Sequence, residues 1–180
     1  MANPLWVFGY GSLLWDPGFP VVERRIARLS GWHRSFCMAS IHHRGTEKDP
    51  GLVLALDAAE GAFCDGLALR AMPGSEEETL AYLRERELIS SAYLETRQQV
   101  DFRGGGAHSD VLTYVINRDH WQYRGDLTLA EQAQIIAGAV GGRGPNDAYL
   151  YNTTAHLAEL GIGDADLEAL TAHVREINAT

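Results

Sequence analysis

Two places in this 180-residue chain combine residue types able to do chemistry. The first is VFGYGSLLW, residues 7–15, where an apolar strand runs into Gly9, Tyr10, Gly11, Ser12, Leu13 and Leu14. Two glycines around a tyrosine let the chain turn sharply, and the successive N–H groups of Gly11, Ser12 and Leu13 could converge on a small anion. A tight strand-to-loop corner in a crowded core asks for the same residues, so the motif alone leaves both readings open. The second place is SEEETLAYLRERELIS, residues 75–90, where helical spacing puts Leu80, Leu83 and Glu87 on one side. A carboxylate among leucines costs free energy unless something pairs with it or uses it. Arg84 projects near the same arc, and Tyr82 and Ile89 lie opposite. Glu87 is therefore either a proton-transfer group or a salt-bridged, partly exposed carboxylate.

Other reactive side chains give weaker patterns. Arg44, in SIHHRGT, could pair bidentately with a carboxylate, although an arginine in a polar loop is more often solvated. Tyr149, in NDAYL, either reaches a pocket by its hydroxyl or packs a helix. His42 and His43 are adjacent and lack a spaced third ligand, so no metal site is expected. Cys37 and Cys64 sit in apolar strand-like contexts without metal spacing and without a neighbouring base, which fits buried thiols in a reducing cytoplasm.

These groups need elements to hold them. Leu5–Tyr10 reads as a buried strand, and ERRIARLSGWHRSFCMAS as two strands divided around Ser30-Gly31. The runs LVLAL and FCDGLALRAM, joined by DAAEGA, read as a hairpin. Ser75 with Glu78 predicts a capping box opening a helix through about Ser90. Strands return at AYLETRQQVDF and HSDVLTYVINR, separated by Gly104-Gly105-Gly106. Three helices are expected at the end: Thr128 to about Val140, with a second capping box at Thr128 and Glu131, then Asn146–Leu160, and Asp164 to about Ile177. Strands, a helix, strands again and then helices predict an α+β fold with a mixed, barrel-like sheet and packed helices. GYGSLL has Leu14 where a dinucleotide-binding turn wants its third glycine, so a doubly wound nucleotide fold is disfavoured.

Composition narrows the function classes. At 46% hydrophobic and 22% charged, the chain matches an ordinary globular protein, and residues 1–180 are expected to form one domain. The net charge of −9, with only short basic pairs such as Arg24-Arg25, argues against nucleic acid and against an anionic membrane surface. No apolar run reaches membrane-spanning length, and no basic residue precedes Arg24 to build a secretory signal, so a cytoplasmic location is expected.

Several stretches together carry a family likeness: VFGYGSL, GWHRSFC at 31–37, RGT followed by PGLVLAL, REL then AY, GRGPNDAYL, and NTTAHLAELGI at 152–162. In this order, over nearly the whole chain, they resemble the ChaC family of γ-glutamylcyclotransferases, in particular its bacterial branch. The resemblance implies a γ-glutamylcyclotransferase-like fold and intramolecular cleavage of the γ-glutamyl bond of glutathione. The products would be 5-oxoproline and cysteinylglycine, with no cofactor or metal. It assigns the family's catalytic glutamate to Glu87, after Arg86, and the loop holding the γ-glutamyl end to Tyr10, Gly11, Ser12 and Leu13, flanked by Gly9 and Leu14. Here ELISSAY, with Ser90, Ser91 and Ala92, stands where the eukaryotic branch has a glycine pair.

The chemistry explains why such parts are needed. The substrate's α-amine must lose a proton and attack its own γ-carbonyl. A glutamate titrating near ~4.3 is a feeble base toward an amine near ~8 unless apolar neighbours such as Leu83 desolvate it. Other γ-glutamyl amino acids or γ-glutamylamines would suit the same chemistry. A non-catalytic module binding a small anion in the glycine loop, and a thiol hydrolase, are the rival readings. The oligomeric state, with a monomer allowed, is left open.

Overall fold

The computed structural model describes residues 3–88 and 90–180. They fall into two compact units, Met1–Arg34 with Ala55–Arg118, and Ser35–Leu54 with Asp119–Thr180. The main sheet is a closed barrel of strand order β1-β3-β2-β4-β5, and the first unit holds all of its strands but residues 35–40 and 51–54. Its strands are β1 (Trp6–Gly9), β2 (Val21–Ser40), β3 (Gly51–Ala71), β4 (Tyr93–Phe102) and β5 (Ala107–Ile116), with helix α1 (Glu76–Glu87) between β3 and β4. β1 pairs antiparallel with β3, Phe8 opposite Ala68, and parallel with β5, Trp6 opposite Val111. β4 and β5 form an antiparallel hairpin. Its connection runs through Gly104, Gly105 and Gly106, all at positive φ, which only glycine adopts without strain. β1 and residues 111–116 of β5 are buried throughout rather than alternately, so the barrel interior and its cover both claim these strands. Val7 and Phe8 are fully enclosed. The expected mixed, barrel-like sheet is thus observed.

Two strand readings are corrected. The break expected at Ser30-Gly31 and the hairpin expected at DAAEGA are absent, and each stretch is one continuous strand of 20 and 21 residues. Gly31 and Gly61 do take positive φ, 88° and 80°, but within the strands. A glycine there lets a long strand bend without ending it, so the same residue type marks a bend or a turn and sequence cannot tell which.

The helix starts also separate expectation from structure. Thr128 and Glu131 form the full capping box that opens α2 (Leu129–Gly138). Ser75 does not. It sits at φ −103° and ψ 8°, where its hydroxyl donates back to the Met72 carbonyl at 2.6 Å instead of accepting from Glu78. Helix α1 stops at Glu87, short of Ser90, and Ile89 lies outside the described residues.

The second unit holds α2, a short hairpin of β6 (Val140–Gly141) and β7 (Gly144–Pro145), α3 (Asn146–Glu159) and α4 (Ala165–Asn178). Helix α2 ends before Val140 because Ala139 is already extended, φ −77° and ψ 142°. Gly161, at φ 72°, follows α3, and the Asp164 side chain caps α4 by accepting from Leu167 N–H. Ile136, Leu150, Leu157, Leu170 and Val174 are among the apolar residues that these helices bury. Among the described residues no helix is long and apolar enough to cross a membrane.

Candidate active site

The glycine corner is built by crowding. A Cβ on Gly9 would stand 3.0 Å from Leu13 Cβ, so any side chain there would crowd the chain where it folds back after β1. Beyond it Ser12–Leu14 form one 3-10 turn, with Leu13 and Leu14 buried. The bonds inside this turn use the N–H groups of Leu14, Trp15 and Asp16, not those of Gly11, Ser12 and Leu13. Tyr10, 8% exposed, donates its hydroxyl to the Tyr114 carbonyl on β5 at 2.7 Å. That bond ties the corner to the barrel wall.

Helix α1 delivers its last residues to this corner. Arg86 donates through Nη2 to Ser12 Oγ at 2.9 Å, and through Nη1 to the carbonyls of Asp16 at 2.7 Å and Pro17 at 3.2 Å. The same Nη1 lies 3.1 Å from Tyr82 Oη. A planar guanidinium presents several donors in fixed directions, so one side chain locks the loop to the helix end. Glu87 follows with Oε1 3.5 Å from Arg86 Nε, and the two side chains are only 15% and 8% exposed. On the predicted face Leu83 is fully buried and Leu80 half-buried, and Glu85 is exposed. Glu87 and the residue 9–14 corner, read separately from sequence, are therefore linked through Arg86.

Three further residues adjoin them, of which the sequence marked only Arg84, as projecting near the Glu87 arc. Tyr114 on β5 is 2% exposed and donates its hydroxyl to Glu95 Oε1 on β4 at 2.9 Å. Glu95 is in turn held by Arg84 in a two-bond fork, Nε to Oε1 at 3.1 Å and Nη2 to Oε2 at 3.0 Å. Burial first, then the hydrogen bond to Glu95 and the charges of Glu95 and Glu87, push the Tyr114 phenol well above its ordinary value. Arg84's hydrogen bond is the main reason Glu95 lies below the usual carboxylate range, against its partial burial. Tyr114 was hidden because every position from Val111 to Ile116 is buried, so alternation gives no sign that one side chain faces a polar cluster.

Arg44 and Tyr149 lie together in the second unit. Arg44 is buried at 8% exposure, contrary to the solvated alternative. Its backbone N–H donates to Ser40 Oγ at 3.0 Å, its Nη1 donates to the Pro145 carbonyl at 3.2 Å, and its guanidinium lies 5.5 Å from the Tyr149 ring centre. Burial, foremost, together with Arg143, lowers its pKa from the arginine value. The Tyr149 hydroxyl accepts from Leu54 N–H at 3.3 Å, and its ring meets Phe36 edge-on. Tyr149, on α3, is thus packed against residues of β2 and β3. The carbonyls of His42 and His43 accept from Gly142 and Arg143 N–H. Cys37 and Cys64 are buried thiols. Cys64 departs from its expected apolar setting, because Arg34 Nη2 lies 3.1 Å from its sulfur.

The family model for ChaC-like proteins matches residues 5–177. The chain belongs to the ChaC-like family. It is 36% identical over 177 residues to the glutathione-specific γ-glutamylcyclotransferase of Escherichia coli, covering 98% of this chain and 75% of the relative. It is 34% identical to γ-glutamylcyclotransferase 2-3 of Arabidopsis thaliana, covering 96% and 89%. Among solved structures, the yeast γ-glutamyl cyclotransferase specific to glutathione superposes with a TM-score of 0.88 at 24% identity, covering 97% of each chain. That superposition shows a shared fold.

Proposed function

We propose that this ChaC-like protein is a γ-glutamylcyclotransferase acting on glutathione, releasing 5-oxoproline and cysteinylglycine. The carrying observation is the tie between Glu87 and the glycine corner through Arg86, in a chain 36% identical to a glutathione-specific enzyme. The backbone of Tyr10–Leu13, with Gly9 and Leu14 shaping it, holds the γ-glutamyl end. Its side-chain hydroxyls at Tyr10 and Ser12 are occupied within the protein, which leaves main-chain groups to meet the ligand. Glu87 takes a proton from the α-ammonium, the freed nitrogen pair attacks the γ-carbon, and the bond from that carbon to the cysteine nitrogen breaks. Two protons that began on the α-ammonium finish on the departing amine, and the ring nitrogen keeps one. A single carboxylate can accept and return these protons, a contribution of about 10²–10⁴ in rate. Both reacting groups belong to one molecule, so holding the folded, near-attack conformer is the protein's other task.

Arg44 is retained as a ligand for a substrate carboxylate, since among the described residues no carboxylate pairs with it. A reducing cytoplasm fits the buried thiols and a thiol-bearing substrate. The match over residues 5–177 supports reading the chain as one functional domain. The test is product analysis after incubation with glutathione. Equimolar 5-oxoproline and cysteinylglycine are expected. Free glutamate would mean hydrolysis and overturn the reading, and faster release of 5-oxoproline from γ-glutamyl-alanine would move the substrate to other γ-glutamyl amino acids.

A further inference from the structure

The Tyr114 hydroxyl is buried, yet it is committed on one side only. Its proton goes to Glu95, and among the described residues no group donates to its oxygen. A phenolic oxygen has two acceptor positions besides its proton, and leaving them unused inside a protein forfeits hydrogen bonding that water would supply. The direction of the proton is enforced. Glu95 is acceptor-only while ionised, and the Arg84 fork together with the Tyr114 bond keeps it so. An oxygen whose own proton is directed away can act toward a ligand only as an acceptor. Arg84 stands one turn before Glu87 on α1, so the helix that delivers Glu87 also anchors the Tyr114–Glu95 pair.

We propose that Tyr114 Oη is the second acceptor for the substrate's α-ammonium, beside the Glu87 carboxylate, with Glu95 and Arg84 as positioning residues that hold its lone pairs toward the amine. This rests on the cyclotransferase reading of the same site. An ammonium has three N–H bonds. One gives its proton to Glu87, a second is held by Tyr114 Oη, and the electron pair released by the first points to the γ-carbon. Fixing one N–H away from the line of attack selects the rotamer of the amine that can close the ring. The ligand class that this site requires is therefore one with a free α-amino group. A γ-acyl peptide lacking that group would lose the contact.

The experiment compares two ligands by calorimetry in a Glu87→Gln background, where turnover is suppressed. The ligands are glutathione and its des-amino analogue, glutaryl-cysteinylglycine. Adding Tyr114→Phe keeps the ring and removes the oxygen. We expect glutathione to bind about tenfold more weakly and the des-amino analogue to change less than twofold, as befits one hydrogen bond to a charged group. Equal weakening of both ligands, or no change in either, overturns the proposal. If Tyr114→Phe does not fold, Glu95→Gln replaces it, and the same selective loss for glutathione is required. Wild-type protein that yields no 5-oxoproline sinks the functional reading instead, whereas normal turnover with unselective binding sinks only the role of Tyr114.

Discussion

Two buried arginines, one in each unit, are held in opposite ways. In the first unit Arg86 meets Glu87 and the loop carbonyls, while Arg84, on the same helix, pairs with Glu95 and through it Tyr114. In the second, Arg44 is as buried as Arg86 but meets one carbonyl and an aromatic ring. Its surroundings are made of glycine instead. A Cβ on Gly141 would stand 2.4 Å from Gly45 N and 2.5 Å from Arg44 N, and one on Gly51 would stand 2.3 Å from the Arg44 carbonyl. Paired charges make a site that is set before substrate arrives, whereas close backbone packing fixes a segment in place and leaves its guanidinium uncompensated.

The largest effect should come from Glu87→Gln, which keeps shape and removes the carboxylate. We expect turnover of glutathione to fall about 10²–10⁴-fold with an unchanged thermal midpoint. Retained turnover would remove Glu87 from the proton transfer, and binding without turnover in the wild type would return the protein to the class of small-anion binding modules.

Next is a matched pair. Arg86→Met strands three loop oxygens and leaves Glu87 without its neighbour, and should cost on the order of 3 kcal/mol in urea unfolding. Arg44→Met gives up one carbonyl contact and a desolvated charge, so stability should stay level or rise while the Michaelis constant for glutathione increases. Equal losses in the two variants would erase the contrast between the units.

Gly141→Ala should destabilise by about 1–3 kcal/mol, because the contacts it would make are to backbone and cannot rotate away. A neutral outcome would mean that the second unit is looser than its packing implies.

The smallest effect is one of pH. Glu95 is held below its ordinary range, so its pairing stabilises fully above the unfolded carboxylate pKa near ~4.3 and is lost as pH falls through the lower folded value. Arg84 is half exposed, which screens the gain. Comparing acid unfolding of wild type and Glu95→Gln should therefore show the variant less sensitive as pH falls below the ordinary carboxylate range near ~4. Parallel curves would deny Glu95 a paired role.

Much of this site was legible in the sequence, for local reasons. The glycines at 9 and 11 signal a corner wherever they occur, and a glutamate in register with Leu80 and Leu83 is anomalous by helical periodicity alone. The Thr128–Glu131 box formed as spelled out because all its parts lie within one turn. The Ser75–Glu78 pair has the same spelling and failed, because the preceding Pro73-Gly74 turn offers the Met72 carbonyl to the serine first. The strand breaks at Gly31 and Gly61 were misread for a related reason, since neighbours across the barrel decide whether a positive-φ glycine turns the chain or bends it.

By itself, the sequence determined the order of elements, the glycine corner and the candidate carboxylate, all properties of residues within a few positions of one another. Only the tertiary structure decided that Arg86 reaches back about 70 positions to Ser12 and that Tyr114, Glu95 and Arg84 meet beside Glu87. Closing a barrel sets strands and a helix distant in sequence against one another, and hydrogen bonds formed at that closure leave no periodic trace in any single strand.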